Sequence, residues 1–146
     1  MRGERVGTFL MESECKKMKG GQDYASLLAI AKDVFAVLGA GFMENIYHRA
    51  FVHELHLAGI LHESEKVIPV MYKEVQAGCV RADLVIDKRI LVEFKAVSTV
   101  TSHHFLQLER YAAQLNIEEM ILVNFPLHKN REIEAHAFID GAFRKM

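Results

Sequence analysis

A chain of 146 residues, 51% hydrophobic and 25% charged, has the size and composition of one globular domain with room for a proper core. Its net charge of −1 excludes a protein that coats nucleic acid indiscriminately, while leaving room for a local basic patch. No apolar run approaches the ~20 residues of a membrane helix, the N-terminus lacks a signal-peptide segment, and Cys15 and Cys79 are too few for a disulfide framework, so a cytoplasmic protein with no membrane partner is expected.

Residues 1–22, which end in Lys16-Lys17-Met18-Lys19-Gly20-Gly21, lack sustained periodicity. They are expected to form a flexible arm ahead of a single domain spanning 23–146. From Asp23 the pattern turns helical: Tyr24, Leu27, Leu28, Ala31, Val34, Phe35 and Leu38 recur at three- and four-residue steps. Asp23 is the expected N-cap, and Gly39-Ala40-Gly41 the stop. A second helix is predicted over 43–58, with Ile46, Tyr47, Ala50, Phe51, Leu55 and Ala58 inward and Gly59 ending it. A strand follows near 66–72, where Pro69 points to an edge or a bulge.

Two strand-like runs, 81–87 and 89–97, flank the polar turn Asp87-Lys88-Arg89 and predict a β-hairpin. With the turn centred on Lys88, Asp83 stands opposite Glu93. One face then carries Ala82, Leu84, Ile86, Ile90, Val92, Phe94 and Ala96, wholly apolar. The other gathers Arg81, Asp83, Glu93 and Lys95, with Val85, Leu91 and Val97 between them. Two opposed carboxylates repel unless something positive lies between them. Lys95 alone meets that need in a solvated ion-paired surface, worth ~0.2–1 kcal/mol. A divalent cation, which takes oxygen ligands, meets it equally well.

Ser102 is the expected cap of a third helix over 103–116, with Phe105, Leu108, Ala112 and Leu115 as its stripe. A helical first turn explains the adjacent His103 and His104 at least as well as a metal site does. Strands are predicted over 120–125 and, finally, over 131–139. The order helix, helix, three strands, helix, two strands predicts an α/β fold: a mixed β-sheet flanked by helices, with a right-handed crossover into 120–125. No glycine-rich phosphate loop or nucleophile elbow is present.

The αβββαβ order, with Asp83 and Glu93-Phe94-Lys95 on its central hairpin, resembles the PD-(D/E)XK nuclease superfamily. Gly41-Phe42-Met43-Glu44-Asn45-Ile46-Tyr47 is similar to the signature of the small prokaryotic GxxExxY proteins, within the RecB-like part of that superfamily. Arg81-Ala82-Asp83-Leu84, Val92 through Ala96, and Gln107 with Tyr111 follow in the order of that branch, and the likeness spans about residues 23–125. It implies a restriction-endonuclease-like core with an extra N-terminal helix. It further implies hydrolysis of phosphodiester bonds in nucleic acid, DNA being expected, with Mg²⁺ or Mn²⁺ as cofactor. Asp83, Glu93 and Lys95 would be catalytic. The cation would be held by Glu44, Asp83, Glu93 and the Phe94 carbonyl, with Lys95 positioning water electrostatically. Tyr47, Gln107 and Tyr111 would support the site or its substrate. Each has a plainer use: Glu44 as a first-turn acid on the helix dipole, Tyr111 as a buried ring with a satisfied hydroxyl. A non-catalytic interaction module with the same fold is the alternative. A homodimer is expected from the Pro69-marked edge and the final strand with Phe138 on its polar face, since cutting a duplex takes two centres or two visits, while Phe125, Phe138 and Phe143 have an equal use in covering the core of the monomer.

Overall fold

In the computed structural model the described residues are 23–146, so the expected arm 1–22 lies outside them. The described chain opens with two helices, α1 (Asp23–Leu38) and α2 (Glu44–Ala58). Both stop where a left-handed residue is needed: Gly39 has φ 74° and Gly59 φ 69°, conformations costing a residue with a Cβ ~1–2 kcal/mol. The spacing of α1 buries Leu27, Ala31 and Val34. That of α2 buries Tyr47, His48, Phe51 and Leu55. Ile46 departs from expectation, lying at the rim of the α2 stripe and 38% exposed.

Six strands follow: β1 (His62–Tyr72), β2 (Val75–Ile86), β3 (Ile90–Lys95), then helix α3 (Ser102–Leu115), β4 (Glu119–Asn124), β5 (Glu134–Ile139) and β6 (Ala142–Lys145). They form one sheet in sequence order. Neighbours are antiparallel except β3 and β4, which α3 joins as a parallel pair. The sheet is mixed and covered on both faces. On one, α1 and α2 pack against Leu84, Ile86, Ile90, Val92, Phe94, Ile121 and Val123. On the other, Leu108 and Ala112 of α3 pack against Ile68, Val85, Leu91 and Leu122.

The strands differ from expectation at two places. β1 and β2 are one long hairpin turning at Lys73, whose φ is 54°. Residues 71–79 are exposed throughout, so no buried face marks them in the sequence. Pro69 does sit on an edge strand, with a bulge at Val70/Met71. Beyond β5 the two-residue turn Asp140-Gly141, both at positive φ, reverses the chain into β6, where Phe138 pairs with Phe143. Phe143 stacks on Phe105, 4.6 Å between centroids, and Phe125 is fully buried. The β5 edge expected to offer a pairing surface is thus used within the chain, and the three aromatics cover the core of the monomer, the second use expected for them. On α3, Thr101 rather than Ser102 is the N-cap, its N–H donating to His104 Nδ1 at 3.0 Å. Among the described residues no helix is long and apolar enough to cross a membrane.

Arg89, at the end of the β2–β3 turn, locks three elements. Asp23 opens α1, but its carboxylate, 4% exposed, pairs with Arg89 instead of capping the helix. The same guanidinium reaches both oxygens of Glu119 at the start of β4, at 2.7 and 2.6 Å. Removing it strands a buried carboxylate. Arg89→Ala is expected to lower the unfolding free energy by about 2–3 kcal/mol, read as a lower urea midpoint with unchanged slope, and Arg89→Lys, lacking the planar fork, to recover less than half of that loss.

Candidate active site

The β2–β3 hairpin adopts the expected register, with Leu84 opposite Val92, Val85 opposite Leu91 and Ile86 opposite Ile90. The ladder stops one pair short of Asp83 and Glu93. There side chains take over from the backbone: the Asp83 N–H donates to Glu93 Oε1 at 3.0 Å, and the Phe94 N–H donates to Asp83 Oδ2 at 2.8 Å. Each carboxylate satisfies an N–H on the opposite strand. The exchange holds the two acids together although their charges repel.

It also shifts the pleat. Val80 and Ala82 pack with the α3-side cluster, whereas Leu84 and Ile86 pack on the α1–α2 side. The alternation slips by one residue at Asp83, so Ala82 does not share the face expected for it. On β1 the register runs from Ser64↔Leu84 to Lys66↔Ala82, with Glu65 between them at φ 54°. Arg81 and Asp83 consequently border a cleft beneath α2, in company with Glu44 and His48.

Glu93 is only 5% exposed. Burial first, and Asp83 second, push its carboxyl up to about 8. Burial raises Asp83 as well, against the lowering effect of the Phe94 N–H. Glu44 is raised by burial and then by Asp83. Lys95 opposes the shift in all three. Its Nζ donates to Gln107 Oε1 at 3.2 Å, and Gln107 Nε2 donates to the Tyr111 hydroxyl at 3.0 Å. Gln107 and Tyr111, one turn apart on α3, therefore form a bracket that aims Lys95.

Asp83, Glu93, Phe94, Lys95, Gln107 and Tyr111 are thus joined in the expected site, while Tyr47 stands outside this network. Fully buried, Tyr47 donates to the Gly39 carbonyl at 2.6 Å, accepts the Phe42 N–H at 3.2 Å and stacks on Phe125 at 4.2 Å. With Gly41 at φ 101°, it shapes the loop that starts α2 and so places Glu44. Among the described residues no three His, Cys, Asp or Glu side chains gather as a metal cage. The donors are two linked carboxylates, with Glu44 across the cleft. Such a set suits Mg²⁺ or Mn²⁺, hard ions held by one or two carboxylates, water and substrate phosphate.

Two neighbours were not anticipated. His48, 9% exposed, hydrogen-bonds Ser64 Oγ through Nε2 at 3.0 Å, and its charge acts on Asp83. Its position four residues after Glu44, on the same helical face, was the available signal. Asn124, 4% exposed, accepts the Val97 N–H and donates to the Val97 carbonyl, both at 2.9 Å, clamping the chain just past Lys95. A polar residue closing an apolar run was its only mark.

Raising a carboxyl by burial means that its ionisation costs stability. Between the ordinary value of 4.5 and about 8, the unfolded chain binds fewer protons at Glu93 than the folded one, so stability falls as pH rises. Glu93→Gln keeps an oxygen for the Asp83 N–H and removes the charge. In EDTA it is expected to melt about 4 °C above the parent near pH 8, with the gap closing toward ~pH 4.5, by differential scanning calorimetry.

A family model of the PD-(D/E)XK nuclease superfamily matches residues 22–136. Comparison with curated proteins finds no match, and neither does comparison with solved structures. The matched region contains the three helices and strands β1 to β4, with Asp83 and Glu93-Phe94-Lys95 on the central hairpin, and the chain belongs to the PD-(D/E)XK nuclease superfamily.

Proposed function

We propose that this protein is a Mg²⁺- or Mn²⁺-dependent nuclease that hydrolyses phosphodiester bonds of DNA. The observation that carries the reading is the reciprocal bonding of Asp83 and Glu93 to strand backbone beside a Lys95 aimed by Gln107. Each acid keeps carboxylate capacity beyond its one backbone N–H. A divalent cation bound there supplies positive charge against the phosphate and makes water more acidic.

The chain's own groups do the rest. Asp83 and Glu93 fix the cation's place relative to both strands, with the Phe94 carbonyl and Glu44 as further oxygens. Lys95, held by Gln107 and Tyr111, orients the attacking water or a phosphate oxygen and offsets charge that builds in the transition state. The Gly41, Glu44 and Tyr47 loop, with Gln107 and Tyr111 on α3, supports placing the chain in the GxxExxY, RecB-like branch. A non-catalytic module with this fold has no need to keep two raised carboxyls in contact.

Purified protein is expected to nick supercoiled plasmid with Mg²⁺ or Mn²⁺ and to be inert in EDTA. Asp83→Ala, Glu93→Ala and Lys95→Ala should each lower the rate about 10²–10³-fold, and Gln107→Ala about tenfold. Undiminished cleavage by the Glu93→Ala, Lys95→Ala double variant would sink the assignment. A Mn²⁺-dependent rise in melting temperature, lost in Asp83→Ala, separates metal binding from chemistry.

A further inference from the structure

Beside the carboxylate pair, α2 and the β1–β2 strands enclose an open cleft of about 540 Å³. Asp83 forms part of its wall, so the cleft and the carboxylate pair are continuous. His48, Arg49 and Val52 line it from α2, and Ser64 and Arg81 from the strands. The hydrogen bond from His48 to Ser64 Oγ ties helix to strand, and His48 is almost fully buried, so this side of the cleft is preformed. Arg49 is exposed and makes no ion pair with any described residue. Arg81 pairs with Glu65 at 3.3 Å, but both side chains are well over half exposed, a pairing that contributes little and yields readily to a phosphate.

We infer that this cleft receives one unpaired nucleotide next to the phosphate at Asp83 and Glu93, and that the substrate is therefore single-stranded or frayed DNA. A hollow of this volume matches a site for one small ligand. Arg49 and Arg81 offer guanidinium planes that both contact phosphate and stack on an unpaired base. A net charge of −1 gives weak attraction to a duplex backbone, so binding depends on such local contacts. The inference rests on the nuclease reading for what occurs at the phosphate, but not for binding itself.

Fluorescence anisotropy of a labelled oligodeoxynucleotide in EDTA tests it without turnover. The single strand is expected to bind about tenfold more tightly than a blunt duplex of the same sequence. Arg49→Gln with Arg81→Gln should weaken single-strand binding about tenfold and lower its salt slope by about 1.4, two phosphate contacts' worth, at an unchanged melting temperature. Equal or tighter duplex binding, a double variant that binds like the parent, or no saturable binding of either probe overturns the inference. Plasmid cleavage is scored separately. Strand preference without any metal-dependent cleavage removes the nuclease reading and keeps the cleft, whereas cleavage with no strand preference does the reverse.

Discussion

Two backbone N–H groups, those of Asp83 and Phe94, organise the whole site. In an uninterrupted antiparallel pair they would enter the ladder, and the carboxylates of Asp83 and Glu93 would turn outward into water. Here each N–H is taken by the acid of the opposite strand. Charged hydrogen bonds of this kind are stronger than neutral ones, and they offset part of the cost of burying two like charges. They also open the strands at the point where the pleat slips. Without the slip, Asp83 would not reach the cleft beneath α2, and without the bonds the slip would leave two donors unsatisfied.

The scaffold keeps that opening from spreading. On the turn side, Leu84, Val85 and Ile86 remain paired with β3, and Arg89 fastens the turn to α1 and β4. Past Lys95, Asn124 supplies the Val97 backbone with the two bonds that a strand neighbour would make, and the Phe125 N–H donates to the Lys95 carbonyl at 2.8 Å. Tyr47 does comparable work for the other wall, since its hydroxyl holds the α1–α2 loop. The site is irregular over a few residues because regular structure is pinned on either side.

Legibility in the sequence followed burial. Where one face is buried and the other is not, spacing gave the answer: α1 ends where the glycines said, and the hairpin register came from a polar turn and an apolar face. Residues 71–79 bury neither face, so the first half of β2 left no pattern. The strand β6 had a readable signal in Asp140-Gly141, a strong hairpin dipeptide, but the run after it is only four residues long. The misplacement of Ala82 has a different origin. Period-two alternation assumes an unbroken ladder, and the carboxylates of Asp83 and Glu93 break it. Asp23 was misassigned because capping is a local rule, and its partner Arg89 lies 66 residues away.

The hydrogen bond of Lys95 explains why the raised carboxyls are not closed off by an ion pair. A Lys bonded directly to Glu93 would relieve the raised carboxyls and leave a closed ion pair with nothing to offer a ligand. Gln107 prevents this by giving Nζ a neutral acceptor on α3, and Tyr111 fixes Gln107 in turn. The three acids feel Lys95 as a nearby charge, yet burial still raises them. The folded chain therefore holds, at one place, three acids whose ionisation burial disfavours, bordering a cleft that also presents two arginines. On the function proposed above, a bound cation would favour the ionised form of those acids and a phosphate would complement the arginines. The cost of ionising Asp83 and Glu93 in the free fold would then be offset only in a complex with such charged ligands.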